Sequence, residues 1–339
     1  MKAAYLVRYG TASQAFEIRE TEIPTPSPSQ ILIQVEGFGL NFADVMARLG
    51  LYKGAPPNPA ILGYDVVGRV AKCGTDVVDF EQGDRVIALT RFGGYAEYAL
   101  AEGFVSQRVP EDLPPGEAVA LSTQYCTAYF LSHLMANLQQ KDRVLIHAAA
   151  GGVGTALVQM AKAKNCIIFG TCGSAEKIAY LEQAGVQHPI NYRKEDFVEV
   201  VRKVSSGHGL DVVFDPIGGK SVKQGFKLLG AGGRILSYGL SSMNQTSNIF
   251  GKLKVLGQFG FYHPVQFLSG SRGMIGVNML KVADDNPRKI AYAMQKVIEM
   301  TSQGILKPFV GGEFSINQLV EAHEYLESRK SMGKIVVKW

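Results

Sequence analysis

Residues 143–164 read RVLIHAAAGGVGTALVQMAKAK. An apolar run, Val144 to Ile146, ends in small residues. Gly151, Gly152 and Gly154 follow, and then an apolar spacing of helical period. The pattern predicts strand, tight turn, helix. Glycines let a backbone approach a pyrophosphate closely, and the unpaired N–H groups at the start of the helix face its negative charge. A second strand-like run, Cys166 to Gly170, completes a βαβ unit of about 30 residues. Gly151, Gly152, Val153 and Gly154 are therefore the expected dinucleotide contacts. Ala149 stands where the usual fingerprint has its first glycine, and an ordinary glycine-rich βα turn is the alternative.

The tip of the second strand selects the dinucleotide. NAD sites place Asp or Glu about 20 residues after the first glycine, to accept from the ribose 2′-hydroxyl. Here the stretch is Gly170, Thr171, Cys172, Gly173, Ser174, without an acid. Lys177 follows Ser174 by one helical turn, and Tyr192 follows a third strand-like run. A hydroxyl, an ammonium and a phenol suit a 2′-phosphate and poorly replace a carboxylate. The expected cofactor is NADPH. Glu176 reads as a solvated helix residue, and surface placement of Lys177 and Tyr192 is the competing view.

The chain has 339 residues, 46% of them hydrophobic, enough for two sizeable cores. A net charge of +5, spread without a basic block, argues against nucleic acid. No apolar run reaches the roughly 18 residues of a membrane span, and Met1 to Gly10 reads as a first strand. Cys73, Cys126, Cys166 and Cys172 show no Cys-x-x-Cys spacing and read as reduced thiols of a cytoplasmic protein.

The texture changes twice. Up to residue 123, short strand-like runs (Ile31 to Glu36, Val66 to Ala71, Arg85 to Ala88, Tyr95 to Leu100) are punctuated by prolines, as in a small irregular β domain. Over 124–283, strands at 143–149, 166–171, 187–190, 210–215 and 233–239 alternate with helical patterns. That rhythm predicts an α/β doubly wound parallel sheet. Over 284–339 a helix (Lys289 to Thr301), a strand near Phe309, a helix (Ile316 to Ser328) and a strand (Lys334 to Lys338) are expected to complete the first domain. Phe250 to Tyr262, FGKLKVLGQFGFY, reads mainly as core and pocket wall, with a wide apolar cleft as the lesser alternative.

HAAAGGVG, NFADVMARLGLY (41–52), GGYAEYAL (93–100) and the ending SMGKIVVKW together resemble the medium-chain dehydrogenase/reductase superfamily, specifically its zinc-independent quinone oxidoreductase branch. NFADVMARLGLY followed by PP and ILGYD is similar to the vesicle amine transport protein homologues of that branch. The resemblance spans the chain and implies a GroES-like β domain (1–123 and 284–339) and a Rossmann NADPH-binding domain (124–283). Zinc-dependent relatives carry Gly-His-Glu and an earlier Cys. This chain has Gly63, Tyr64 and Asp65, with Asn41 in place of the Cys, and no cysteine in 90–110, where their structural zinc lobe falls. Asp44 and Asp65 alone make no tetrahedral site, so no metal is expected.

Another group must then supply a proton as hydride arrives. Tyr52, at a loop tip, carries a phenol able to donate it, the role given to the matching tyrosine in enoyl-thioester-reducing relatives; packing the pocket wall is its alternative. Asn41 suits a hydrogen bond to substrate or ribose, or else a turn cap. By resemblance, Thr127 contacts the nicotinamide amide, Tyr238, Gly239 and Ser241 line the carboxyl edge of the sheet, and Lys334 reaches the cofactor. His147 reads as a buried, hydrogen-bonded core group, and the absence of GxSxG argues against a hydrolase. Ile275, Val277 and Met279 alternate as a half-buried strand, which in the family pairs with its two-fold mate and implies a homodimer. The expected activity is NADPH-dependent reduction of a quinone or α,β-unsaturated carbonyl. An enoyl-thioester reductase and a non-catalytic, vesicle- or lipid-associated NADPH-binding protein are the alternatives.

Overall fold

The computed structural model describes residues 1–242 and 249–339. They divide into two compact units: Met1–Thr127 with Leu280–Trp339, and Ala128–Met279.

The Ala128–Met279 unit is built on six parallel strands. In chain order these are Arg143–Ile146, Ile167–Cys172, His188–Asn191, Leu210–Asp215, Leu229–Ser237 and Gly273–Gly276. Across the sheet they run third, second, first, fourth, fifth, sixth. This is the doubly wound order of a Rossmann fold, and its direction of winding reverses between the first and fourth strands, where such sheets open a ligand crevice. Leu145, Phe169, Ile190, Val213 and Ile235 form the core. The fifth strand begins earlier than its sequence suggests, because Leu229 pairs with Leu210 across a register shift. The sixth stops at Gly276; Met279 instead starts the helix Met279–Asp285.

The aromatic segment 250–262 departs from expectation. It forms the helix Ile249–Gln258 and a following turn. Tyr262 packs edge-on against Phe226, with ring centroids 5.0 Å apart. Phe261, however, is 97% exposed, and Leu253 and Leu256 are also exposed. Val255 is the buried residue of that helix, whose other face is exposed, and Phe261 lies past its end, so apolar content alone overstated this segment's burial. The side chain of Phe250 lies outside the described residues.

The other unit is a GroES-like β assembly. A seven-stranded, mainly antiparallel sheet is organised around Gln30–Leu40, which pairs with Asp65–Cys73, Tyr98–Glu102 and the last strand, Lys334–Lys338. A three-stranded sheet joins Lys2–Leu6 to Phe16–Glu20 and Ala60–Ile61. Ile31, Ile33, Phe38, Leu62, Val66, Tyr95 and Ile335 fill the core. The C-terminal strand thus lies beside residues 37–40, which brings Lys334 to the start of the helix Phe42–Arg48.

Candidate active site

In the Rossmann unit the glycine turn leaves the first strand beside the reversal point. Ala148 holds a left-handed φ of +52°, and Gly151 caps the helix Gly152–Ala163. Gly151 N donates to Ala148 O at 2.9 Å. A Cβ on Gly154 would collide with the Ala148 carbonyl and stand 2.8 Å from Ala149 Cα, so this helix turn packs directly on the loop backbone. That is the close helix–strand approach which the last fingerprint glycine permits. The loop lacks a glycine at Ala149 because a buried methyl group fits there, packed against Gly170.

The second strand ends beside Gly173, where a Cβ would lie 2.6 Å from the Tyr192 hydroxyl. Ser174 caps the helix Ala175–Ala184, its Oγ accepting from Lys177 N at 3.3 Å. Burial lowers the Lys177 ammonium, an effect opposed by Cys172 and Glu176 and reinforced by the Arg193 guanidinium. Ser174, Lys177 and Tyr192 are therefore neighbours, joined by Arg193, which sequence reasoning missed. Glu176 is exposed. Two cations held near each other, one partly desolvated, make a seat for an anion.

At the carboxyl edge of the sheet, Tyr238 N donates to Asp215 O at 3.0 Å and Ser241 N to Pro216 O at 3.2 Å. Gly239 packs so closely on Pro216 that a Cβ would sit 2.5 Å from its carbonyl. Asp215 Oδ1 accepts from Ile217 N and Gly218 N at 2.7 and 2.8 Å, shaping the turn beneath them. His147 is buried, with Nδ1 3.0 Å from Thr171 Oγ1 and Nε2 4.0 Å from Asp215 Oδ2. Desolvation lowers its pKa, and Asp215 partly opposes this. It bridges three strand ends.

In the GroES-like unit a buried polar cluster gathers around the helix Phe42–Arg48. Lys334 Nζ donates to Asp65 Oδ2 at 2.7 Å and to Asn41 Oδ1 at 3.2 Å, while Asn41 Nδ2 donates to Asp65 Oδ1 at 3.2 Å. Lys334 and Asp65 are both 0% exposed. Gly39 leaves them room, since a Cβ there would strike the ammonium. Lys334, expected to reach a cofactor, donates its ammonium protons to Asp65 and Asn41 in this structure. Asn41 is itself the helix cap, its N–H donating to Asp44 Oδ2 at 2.8 Å. The capping role of Asn41 is present, and its side-chain amide is engaged by Lys334 and Asp65.

Tyr52 follows that helix closely. Leu51 N bonds back to Met46 O at 2.8 Å, and Gly50 packs on the Tyr9 ring. The helix end is pinned by Arg48, fully buried, which donates to Gly10 O at 2.6 Å and pairs with Glu327. Half-buried Tyr52 meets Tyr64 edge-on, centroids 6.2 Å apart, and Tyr64 packs on Phe92. Burial raises the Tyr52 phenol, the Tyr64 hydroxyl opposing and Asp44 adding to the rise. Thr127, 7% exposed, lies in Cys126–Tyr129, between π-helical segments Leu121–Tyr125 and Phe130–Met135. Such wide turns recur at functional sites, and nothing in residue spacing announces them.

The positions where zinc-dependent relatives hold metal contain Asn41, Tyr64 and Asp65, with the Lys334 ammonium already on the carboxylate. An amide, a phenol and an ion-paired acid do not fit Zn²⁺, which takes thiolate, imidazole or free carboxylate. Among the described residues no three His, Cys, Asp or Glu side chains cluster as a metal site, and no helix is long and apolar enough to cross a membrane.

Residues 27–111 match the alcohol dehydrogenase GroES-like domain, and residues 152–266 the zinc-binding dehydrogenase domain. The chain is 36% identical over 317 residues to the synaptic vesicle membrane protein VAT-1 homolog of Danio rerio, covering 93% of itself and 65% of that protein. Against the Homo sapiens VAT-1 homolog the values are 33%, 93% and 80%. Against the quinone oxidoreductase of Rattus norvegicus they are 28% over 339 residues, 99% and 97%. Among solved structures, Escherichia coli quinone oxidoreductase complexed with NADPH superposes with a TM-score of 0.88 at 25% identity, covering 100% of both chains. The CurK enoyl reductase gives 0.86 at 26%, covering 99% and 98%. The chain belongs to the medium-chain dehydrogenase/reductase family, in the group that unites VAT-1 homologues with quinone oxidoreductases.

Proposed function

We propose that this chain is an NADPH-dependent reductase of quinones or α,β-unsaturated carbonyls that works without zinc. The observation that carries the cofactor choice is the strand tip, where Ser174, Lys177, Tyr192 and Arg193 surround a position that an NAD site gives to an acid. Quinone oxidoreductase and enoyl reductase relatives, one of them solved with NADPH, support the reaction class.

On this reading the Gly151–Gly154 turn takes the pyrophosphate, Ser174, Lys177, Tyr192 and Arg193 take the 2′-phosphate, and Thr127, Tyr238, Gly239 and Ser241 orient the nicotinamide half. The nucleotide supplies a hydride to an electron-poor carbon or a quinone oxygen. Tyr52 gives a proton as negative charge develops on the acceptor, and Tyr64 holds its ring. Asn41, fixed by Lys334 and Asp65, offers one polar contact. Catalysis otherwise rests on holding donor and acceptor together. We also propose a homodimer formed through Gly273–Gly276, whose outer side has no partner strand among the described residues.

The test is a panel of quinones, enones and enoyl thioesters assayed with NADPH and with NADH. Turnover of quinone or enone with NADPH, and none with crotonyl-coenzyme A, supports the reading. Thioester turnover alone refutes the substrate class. NADPH binding with no turnover points to a non-catalytic nucleotide-binding role. Tyr52→Phe then keeps the ring and removes the donor; kcat on an enone should fall roughly 10²-fold, with NADPH affinity unchanged. Full kcat in that variant makes Tyr52 a wall residue.

A further inference from the structure

The helix Met279–Asp285 has no part in the mechanism above, yet it is fastened to the Tyr52 loop at two points. Leu280 and Asp284 stand four positions apart, so they share one face of that helix. Half-buried Leu280 meets the turn Tyr52–Ala55, which is closed by Ala55 N donating to Tyr52 O at 3.1 Å. A Cβ added to Gly54 would lie 2.9 Å from Leu280 Cδ2 and 3.1 Å from Tyr52 Cε1. A Leu280 methyl and the Tyr52 ring therefore converge on one point. Cε1 adjoins the ring carbon that bears the hydroxyl, so the methyl stands at the reactive end of the phenol.

The second fastening is ionic. Asp284 pairs with Arg91, both side chains being partly exposed. Arg91 precedes Phe92, whose ring packs on Tyr64 with centroids 5.0 Å apart. That loop is tied to the Tyr64 segment, Thr90 N donating to Tyr64 O at 2.8 Å and Gly93 N to Ile61 O at 3.0 Å. Tyr64 in turn meets Tyr52 edge-on. Every one of these residues belongs to the GroES-like unit.

An acceptor that takes a proton from Tyr52 must bring its own atom within hydrogen-bond reach of the phenol oxygen. There it comes up against the Leu280 methyl. An aliphatic group orients nothing by hydrogen bonding; it discriminates by volume. We propose that Leu280 is a specificity-determining residue, a volume filter at the hydroxyl end of Tyr52. It favours enones and quinones that are slim beside the atom taking the proton over those that carry a bulky substituent there. Asp284 is a positioning residue that holds the filter in place through Arg91. The proposal deepens the reading above and rests on the acceptor docking at Tyr52.

The test compares cyclohexenone with its α-phenyl derivative, using the full chain at saturating NADPH. Leu280→Ala should raise the ratio of kcat/KM, phenyl over unsubstituted, by about tenfold or more. Gly54→Ala fills the room at the ring edge and should lower the ratio. Asp284→Asn should raise it by about threefold, since an exposed pair is weak. High salt should raise it likewise in the wild type and leave Asp284→Asn unmoved. A merely structural role would change both acceptors by one factor, without salt dependence. An unchanged ratio in Leu280→Ala, or in Gly54→Ala where the first variant does not fold, overturns the proposal. The contact is also read without turnover, by ¹⁹F spectra of chain labelled with fluorotyrosine, the Tyr52 signal being the one missing from Tyr52→Phe. Leu280→Ala should shift that signal, and the phenyl enone should then move it further than in the wild type. A signal unmoved by the substitution, or by either enone in both chains, overturns the filter. Full kcat in Tyr52→Phe, or no turnover of any acceptor, defeats the donor or reductase reading instead, and the fluorine signal still decides whether acceptors meet Leu280.

Discussion

Replacing Lys334 with Met tests the cluster on which the proposed active site is built. Met keeps much of the aliphatic volume that lies over Gly39 and removes the ammonium. Asp65 then loses its 2.7 Å partner at 0% exposure, and Asn41 loses the donor that fixes its Oδ1. Removing one member of a fully buried ion pair costs about 3–5 kcal/mol, because the remaining charge keeps its desolvation penalty without compensation. An exposed pair would cost under about 1 kcal/mol. The two values are far enough apart for urea unfolding to separate, read by a probe confined to the GroES-like unit, such as the fluorescence of Trp339, the protein's one tryptophan. Asp65→Asn combined with Lys334→Met removes both charges, and it should recover at least about 2 kcal/mol relative to Lys334→Met alone. A loss below about 1 kcal/mol in the single variant, or additive losses in the double, would refute the buried-pair argument. Lys334 would then be free for another partner, as the family resemblance first implied.

NADPH should bind at least about tenfold, or 1.4 kcal/mol, more tightly than NADH, and Lys177→Ala should weaken NADPH alone; equal affinities in the wild type by calorimetry would sink the assignment. Gly154→Ala must push the Ala148 carbonyl aside, so it should abolish detectable NADPH binding in the same assay while the circular dichroism spectrum persists; unchanged affinity would show that the turn does not touch the pyrophosphate. Stability should fall by about 1.4 kcal/mol per pH unit between about pH 6.5 and 8, because folded Asp44 keeps a proton that its unfolded form, with an ordinary value of 3.8, has already released. The sign follows from the raised pKa: the contribution is complete below about pH 4 and is lost as pH rises through about 8. Buried His323, lowered to about 3, acts the other way below 6.5, so the window above it isolates Asp44, and Asp44→Asn should flatten the slope. Zinc should be absent from purified protein by elemental analysis; one zinc per chain, lost together with activity, would overturn the reading of Asn41, Tyr64 and Asp65.

Local pattern was enough for the Rossmann unit because its information is local. A strand, its turn and its helix fit within residues 143–164, and the absence of an acid between Gly170 and Ser174 is visible without coordinates. The alternation over 124–283 gave the parallel sheet, since parallel strands need helical crossovers between them. The family motifs gave the GroES-like unit, which its short strands alone would not. Apolar content misled at Phe261, which lies in the connection between the helix ending at Gln258 and the next segment, where burial is set by the path of the chain. Arg193 went unnoticed because its link to Lys177 runs from the end of the third strand back to the helix before it. The polar cluster was least legible of all. Asn41, Asp44, Asp65 and Lys334 are separated by up to 293 residues, and only the pairing of the last strand with residues 37–40 brings them together. Sequence determined which chemical groups were present and which local backbone carried them. Tertiary structure decided their charge states, because a carboxyl group's proton is set by how much water it has lost and by how many cations share its enclosure.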